Sequence, residues 1–486
     1  MAIGDCLTLI NGRAFKPAEW TTSGKPIIRI QNLNNPEASY NYYEGELPEK
    51  FAVRNGDLLF AWSGTPGTSF GAHVWHGEDA WLNQHIFKVL FSAAQFDKQF
   101  LRYAINQNLD EYIRAAHGGA GLAHITKGRF EASVLLVPSL AEQRQLVDEI
   151  ERQFTRLDAG VAGLERVRAN LKRYRAAVLK AACEGTLVPT EADLARAEGR
   201  DYETGDQLLE RILTTRRENW TGKGKHKTPT PPDAAGLPQL PEGWIWATTE
   251  QLTSADRTIT YGVVKLGPPV DGGVPVLRSS DVRHLRLDLE GVKTISPGIA
   301  NTYARTFLKG GEIVITVRGT LGGVTVVPPE CSGFNISREV AMLAPVLCDF
   351  IAAKATAIFI GAHTAQQWLL RRAKGIAYTG INIETLKELP LPLPPLAEQH
   401  RIVAEVERRL SIIDELDTLV ETNLARASRL RQSILAKAFS GELVPASGNG
   451  AASPPPAPRK KKGPPSGGPE GRPTAGKGPV QSSSSR

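Results

Sequence analysis

The chain states one segment twice. Residues 138–189 (PSLAEQRQLVDEIERQFTRLD…LKAACEGTLVP) align without a gap on residues 394–445 (PPLAEQHRIVAEVERRLSIID…LAKAFSGELVP), 256 positions later, with about 20 of roughly 52 positions identical. A long-period repeat constrains architecture before any local pattern does, because each copy must form the same structure. It makes the chain a tandem of two half-proteins, each a mixed domain followed by a long helix. Two copies of one self-complementary surface predict a covalent pseudo-dimer about a pseudo-two-fold axis. The expected fold class is α+β, with two strand-rich mixed α/β domains in tandem and the two long helices forming an antiparallel coiled coil.

The repeated segment reads as a helix with legible ends. Ser139 stands three residues before Glu142, the spacing of a capping box. In the second copy Pro395 occupies a first-turn position, where its missing N–H costs nothing. Apolar residues then recur at Ile150, Phe154, Leu157, Val161, Leu164, Leu171 and Val178, and in the second copy at Val406, Leu410, Ile413, Val420 and Ile434. This three-and-four spacing predicts a coiled-coil seam in which each stripe buries against the other. The alternative is two amphipathic helices, each packed on its own domain. Gly185 and Gly441, both followed by a residue and then Leu-Val-Pro, sit where a left-handed cap ends a helix. Roughly 43 residues at about 1.5 Å each make a rod of about 65 Å. Glu142, Gln143, Glu398 and Gln399 are read as caps of the rods.

The segments ahead of the rods share a skeleton and little else. Gly24-Lys25-Pro26 with IIRI parallels Gly273-Val274-Pro275 with VLRS, NGDLLFAWSGT (55–65) parallels GGEIVITVRGT (310–320), and GLAHITKGRFEASVLLVP (121–138) parallels GIAYTGINIETLKELPLP (375–392). Short β-branched and aromatic runs between Gly and Pro predict strands, and residues 100–116 and 350–373 read as helix. The layout is a first domain over 1–137, a rod over 138–189, and a short helix with a flexible Pro- and Lys-rich linker over 190–240. A second domain covers 241–393, a second rod 394–445, and a basic Pro/Gly/Ser tail 446–486 that is too poor in apolar residues to fold. Rods that stayed alike while domains diverged suit one partner bound twice and two different ligands read once each.

The formal charge of +7 says little about the folded body, because the tail alone carries seven basic residues against one Glu, or +6, leaving the body near +1. A nucleic-acid surface on the body would have to be local. Cys6, Cys183, Cys331 and Cys348 lack paired-ligand spacing, so reduced thiols in a cytoplasmic protein are expected. No signal peptide opens the chain, and the longest apolar stretch (350–362) is too short and interrupted to span a bilayer.

Catalytic signatures are sparse. The sequence has no GxxxxGK[ST] loop and no GxSxG elbow. His117 with Gly118 and Gly119 reads as a flexible turn. Gly64 and Gly67, and Gly319, Gly322 and Gly323, read as β-turns and not as phosphate cradles. His73, His76 and His85 read as scattered residues and not as a metal set, so no metal and no cofactor is expected on the chain. No methyltransferase, helicase or nuclease signature is present. A large two-lobed protein without a catalytic centre points to a recognition device. A DNA-modifying enzyme with an unrecognised site and a coiled-coil scaffold for protein partners stay open as alternatives.

LAEQ followed by a charged amphipathic helix ending in G-x-LVP, repeated after two divergent domains, resembles the specificity subunit of type I DNA restriction–modification systems. NGRAFKPAEW (11–20), GKPIIRIQNL (24–33) and LPEGWIW (240–246) support the resemblance, which covers nearly all of residues 1–445. One departure is that the first domain begins at MAIGDCLTLINGR with no counterpart of LPEGW, so either it lacks an edge element or its start lies downstream of the family's usual one. The resemblance implies a non-catalytic subunit. Its two domains each read one half of a bipartite double-stranded DNA target, and its rods set the spacing and dock two methyltransferase subunits. S-adenosylmethionine, ATP and Mg would belong to those subunits and to the helicase–nuclease restriction subunits, and the assembly would methylate adenine and cleave DNA. A related methylation or phage-defence system without restriction is the nearest alternative. Half-sites about one helical turn apart, or a multiple of it, explain the need for a ruler.

Base edges are read by Arg and Lys on guanine and by Asn and Gln on adenine. The DNA-binding candidates in the first domain are Arg13, Lys16, Arg29, Gln31, Asn32 and Asn34. In the second they are Arg278, Ser279, Ser280, Arg283, His284, Arg286 and Arg318. Asn11 and Gly12 are read as a structural turn.

Overall fold

The computed structural model describes residues 1–35, 38–64, 70–109, 112, 123–222, 224–233, 235–347, 349–373 and 380–443. Both rods form at the predicted places, Leu140–Cys183 and Leu396–Phe439, 44 residues each. The capping box is present: Glu142 Oε2 accepts from the Ser139 N–H at 2.9 Å and from its hydroxyl at 2.7 Å, and the Glu142 N–H donates to Ser139 Oγ at 3.4 Å. Gly185 (φ 67°) and Gly441 (φ 81°) end the rods left-handed. The next N–H reaches back five residues at both ends, from Thr186 to Ala181 and from Glu442 to Lys437, each at 3.0 Å.

The repeated glutamine does more than cap. Gln143 and Gln399 are buried, and each donates its side-chain amide to the proline carbonyl that precedes the rod, Pro138 at 3.0 Å and Pro394 at 2.8 Å. Gln143 also accepts from the Asp97 N–H at 2.9 Å and donates to the Gln95 carbonyl at 2.9 Å, tying its rod to the first domain. Glu398 departs from the cap reading. It is fully buried and accepts from the Glu191 N–H at 2.8 Å, so it caps an earlier helix (Glu191–Glu198) and not its own. Burial pushes the Glu398 carboxyl up. Burial acts on the neighbouring Glu191 too, but Arg200 at 2.7 Å and Arg401 at 2.6 Å outweigh it and hold that carboxyl down.

Charge selects the direction in which the rods pair. Residues 140–165 carry six acidic and three basic side chains, and 166–183 carry six basic and none acidic. Residues 396–421 carry seven acidic and three basic, and 422–439 four basic and none acidic. Parallel rods would set like charge against like; antiparallel rods set the basic end of each beside the acidic end of the other. The structure pairs them antiparallel. Arg175 bonds Asp414, and Arg431 bonds Asp158. Asp158 and Asp414 are equivalent in the repeat, as are Arg175 and Arg431, so one ion pair is made twice about a local two-fold.

The apolar seam is shorter than the periodicity suggests. Leu171, Ile413 and Val420 bury together, with Leu164, Leu410 and Leu424 against them. Ile150, Phe154 and Ile434 are buried, and Leu157 and Val161 are half-buried. The Arg431 guanidinium lies 4.3 Å from the Phe154 ring centroid. Val178, Leu179 and Ala182 of the first rod and Ile402, Val403 and Val406 of the second join the core of the second domain instead. The prediction that each stripe buries wholly against the other therefore holds only for the middle. In the same way Phe439, the repeat equivalent of Cys183, packs against Phe100 of the first domain at 5.6 Å between centroids. The chain accordingly divides into two compact units, Met1–Glu149 with the segment from Ala436, and Ile150–Leu435.

The two domains have one topology. In the first, an antiparallel sheet runs Thr8–Asn11, Ile86–Leu90, Leu58–Ala61, Gly71–Val74, and in the second Thr260–Tyr261, Val340–Leu343, Ile313–Thr316, Val324–Val326. The other sheet, four strands in the first domain and three in the second, contains a parallel pair in each, Lys25–Ile28 with Ala80–Leu82 and Val274–Leu277 with Asn335–Ile336. The closest match is at Gly12 and Gly262. A Cβ there would stand 2.0 Å from the Asn83 carbonyl oxygen in one domain and 1.8 Å from that of Ile336 in the other. Only glycine lets the chain cross the neighbouring strand at that spot. Asn11 ends a strand, and Gly12 makes this crossing, so the pair is not the turn read from sequence.

Two stretches differ from expectation. Residues 190–240 are tied to the second domain and do not form a loose linker. Helix Gly205–Glu218 buries Leu208, Leu209 and Ile212 against Ala247, Val346 and Leu393, Arg216 Nε donates to the Thr253 carbonyl at 2.9 Å, and Trp246 Nε1 donates to the Pro238 carbonyl at 3.2 Å. At the other stretch, strand Ile245–Thr248 pairs along all of Pro390–Leu393. The first domain holds the matching edge by one bridge, Ala2 to Val134, with Met1 and Leu135 exchanging hydrogen bonds at 2.9 Å. Val134 and Leu136 stay exposed there.

Candidate nucleic-acid interface

The first domain gathers Arg13, Lys16 and Arg29 around the 13–20 loop. Arg13 is committed inward: it pairs with Glu19, and its guanidinium lies 4.7 Å from the Phe15 centroid and 5.1 Å from that of Tyr43. Lys16 and Gln31 are exposed, and Arg29 lies over Trp20 at 5.4 Å. Asn32 is 1% exposed, accepts from the Arg29 N–H at 3.0 Å and donates to the Ala38 carbonyl at 3.2 Å. Its amide is spent inside the fold, so it is structural and does not read bases. The side chain of Asn34 lies outside the described residues.

In the second domain the expected cluster separates. Arg278 forks onto Asp281 at 2.9 and 3.1 Å, Ser280 donates to Asp281 at 2.7 Å, and the buried Ser279 donates to Glu339 at 2.8 Å. These bonds lock a turn. Arg283, His284 and Arg286 belong to a hairpin, Val282–Arg283 with Arg286–Leu287, which faces the second rod across a cleft of about 1360 Å³. The far wall carries Glu407, Asp414, Asp417 and Glu421. Arg175 and Lys354 also line the cleft and pair with Asp414 and Glu407, so its walls carry charge of both signs. His284 is packed against Gly361; burial, and then the charge of Arg175, push its pKa down. Arg283 and Arg286 are exposed on this hairpin and His284 is half-buried, and the hairpin sets the three apart from Arg278, Ser279 and Ser280.

Arg318 is placed otherwise. It is exposed, bridges to Gly380, and lies 5.7 Å from the centroid of the exposed Tyr261. Tyr261 precedes the crossing glycine. Arg338, also exposed, precedes Glu339, whose carbonyl accepts from the Val317 N–H at 2.8 Å. The first domain builds the same corner from other residues. Asn11 precedes the crossing glycine, and its Oδ1 accepts from Trp62 Nε1 at 3.3 Å. Trp62 packs against His85 at 4.8 Å, and the His85 carbonyl accepts from the Trp62 N–H at 3.1 Å. Ser63 takes the place of Arg318, and Gln84 that of Arg338. Each corner thus sets an aromatic face beside hydrogen-bonding side chains on a similar backbone frame, in which Gln84 N–H donates to the Arg13 carbonyl as Arg338 N–H does to that of Val263, both at 2.8 Å. Of the residues at these corners the sequence reading named Arg318 as a candidate and took Asn11 for a turn; it did not name Trp62, Gln84, Tyr261 or Arg338. The available signal was the parallel between NGDLLFAWSGT and GGEIVITVRGT, whose strands end at these corners.

Nothing among the described residues gathers His, Cys, Asp or Glu side chains in threes as a metal set. Gly319 (φ 75°) and Gly322 (φ 97°) lie in turns, as expected; Gly67, the His117 turn and Cys348 lie outside the described residues. Cys6, Cys183 and Cys331 are free thiols, and burial pushes Cys183 up to about 12. No described helix is long and apolar enough to cross a membrane.

Two like-folded domains with different corner residues, joined to rods that repeat in sequence, define a two-site recognition protein. The family described as Type I restriction modification DNA specificity domain matches residues 1–160, the first domain with about half of its rod, and 269–425, most of the second domain with about two thirds of its rod. The chain belongs to that family and is a specificity subunit with two tandem target-recognition domains. It is 30% identical over 437 residues to the type I restriction enzyme EcoBI specificity subunit of Escherichia coli, covering 90% of this chain and 84% of that one. The EcoDI specificity subunit of Escherichia coli is 26% identical over 346 residues, with 71% and 70% covered. A chain solved in a study of assembly and conformational transition of the type I R-M system shares the fold with a TM-score of 0.53 at 18% identity, covering 90% of this chain and 98% of that one.

Proposed function

We propose that each domain reads one half of a two-part DNA sequence at its corner, Asn11–Trp62–Gln84 in the first and Tyr261–Arg318–Arg338 in the second. The observation that carries this reading is the corner itself: one backbone frame, set by Gly12 and Gly262, presents two different sets of base-competent side chains. Arg318 and Arg338 suit guanine, and Asn11 and Gln84 suit adenine. The aromatic residues pack against the readers and fix their rotamers. The rods set the distance between half-sites and hold two methyltransferase subunits, with restriction subunits joining that core. In this reading the chain performs no chemistry. The methyl donor, nucleotide and metal belong to its partners, and the place of action is the cytoplasm, where the DNA is.

The test is methylation mapping in cells carrying the complete system with Arg318→Ala. Losing one bidentate contact costs about 1–3 kcal/mol of discrimination at one base pair. The second half-site should relax at a single position while the first is unchanged. A motif altered in both halves, or in neither, rejects the assignment.

A further inference from the structure

Beside the strand that leads into each corner runs a parallel strand followed at once by arginine. Ile28 pairs with Leu82, two residues before Gln84, and Leu277 pairs with Ile336, two residues before Arg338. Arg29 and Arg278 come next, at equivalent places in the two domains. Three residues later stand Asn32 and Asp281, both buried, and each accepts from the N–H of its arginine, at 3.0 and 2.8 Å. One turn is thus built twice, and its two caps differ by an amide nitrogen in place of a carboxylate oxygen.

That atom decides what the arginine side chain can do. Asp281 accepts the Arg278 fork, from Nε at 3.1 Å and from Nη2 at 2.9 Å. Drawing Arg278 toward another anion would leave Asp281, 3% exposed, as an unpaired buried charge. Asn32 has nothing to offer a guanidinium. Its oxygen holds the Arg29 N–H, and its nitrogen donates to the Ala38 and Ser39 carbonyls at 3.2 and 3.4 Å. Arg29 instead lies over the exposed Trp20, 5.4 Å from the ring centroid. Glu19, next to Trp20 in the chain, is taken by Arg13. Among the described residues no carboxylate pairs with Arg29. A guanidinium held against an aromatic face keeps in-plane N–H donors for a two-point contact with phosphate.

We infer that Arg29 grips a DNA phosphate beside the first half-site, and that the cap residue, Asn32 or Asp281, sets whether the strand-end arginine of a domain touches DNA. This rests on the reading that each domain binds one half of the target, and it adds a contact outside the two corners. The first domain holds the backbone with a charge that the second keeps locked inside its own turn. Such a contact fixes position and carries no base information.

The experiment measures binding of the full-length chain, in complex with the methyltransferase subunits of its own system, to a duplex carrying its mapped target over a range of salt. Arg29→Ala should weaken binding and make the slope of log affinity against log salt shallower by about 1, with the methylated motif unchanged. Arg29→Lys keeps the charge and should keep the wild-type slope. Asp281→Asn gives the second domain the cap of the first, frees Arg278, and should steepen the slope by about 1. Adding Arg278→Gln to Asp281→Asn should return it to the wild-type value. A slope unmoved by Arg29→Ala, one equally shallow with Arg29→Lys, or one unmoved by Asp281→Asn would each overturn the inference. A motif relaxed at one base pair by Arg29→Ala would overturn it too, by making Arg29 a base reader. Equal affinity of the wild-type complex for duplexes with and without the motif would overturn the two-half reading itself, and is distinct from an unmoved slope.

Discussion

The rods and the domains are repeated in opposite senses. The rods repeat residues: LAEQ, the acid-to-base polarity and the Gly-x-LVP stop recur, and even one interhelical ion pair is made twice. The domains repeat geometry: strand order, the parallel pair and the crossing glycine recur while the corner side chains change. The difference follows from what each part touches. A rod pairs with the other copy of itself, so a change in one copy must suit the other. A domain folds by backbone contacts that tolerate many side chains, and its exposed corner is free to vary.

The sharpest break of that comparison is in the rods. Ile412 and Ile413 are neighbours of identical chemistry, one 45% exposed and the other 1%. Ile413→Asp should remove about 4 kcal/mol or more from the second unit, because it buries a charge with no partner in the Leu171–Val420 seam. Ile412→Asp should shift stability by about 0.5 kcal/mol or less. Chemical denaturation of the two variants side by side reads the difference directly. Similar losses would mean that the seam does not hold the rods together.

A smaller effect probes the shared frame of the domains. Gly262→Val drives a side chain into the Ile336 carbonyl, and Gly12→Val into that of Asn83. Each should cost about 1–3 kcal/mol as an overpacking change and blur reading of its own half-site only. Loss of both half-sites from either variant would show that the corners are not independent.

Much of this was legible because it depends on local spacing. A capping box, a glycine stop and a three-and-four stripe are one-dimensional patterns, and Ser139, Gly185 and Ile413 sit where those patterns put them. The pairing direction was written in the charges as well, since each rod is acidic first and basic last. What sequence could not reveal is where a loop turns. Arg283 and Arg286 have the composition of DNA readers but sit on a hairpin aimed at an acidic helix. Asn32 has a reader's side chain but spends it on its own loop. Asn11 looked like a turn residue, yet a crossing made possible by Gly12 leaves it exposed at a strand end. The hairpin and the crossing depend on contacts between residues far apart in the chain, and Asn32 on the closure of its own loop; no period or motif encodes either.

The smallest expected effect comes from a place where the domains part company in backbone. After equivalent strands the first domain takes a short helix, Ile30–Asn34, and the second takes the 282–287 hairpin. The hairpin presses His284 beside Arg175 of the rod, and burial together with that positive charge lowers its pKa in the folded state. An unfolded histidine titrates near 6.5. Between the lowered folded value and about 6.5 the unfolded chain therefore holds more protons than the folded one, and stability rises with pH across that window. The second unit should be at full stability above about pH 7 and should weaken as pH falls below about 6.5. His284→Gln, which cannot acquire the charge, should flatten this dependence while leaving any other pH response in place. Melting curves of wild type and variant from pH 7.5 to pH 5 supply the measurement. Curves that fall in parallel would mean that the hairpin opens to solvent before the proton arrives, and that its packing on the rod is weaker than the contacts imply.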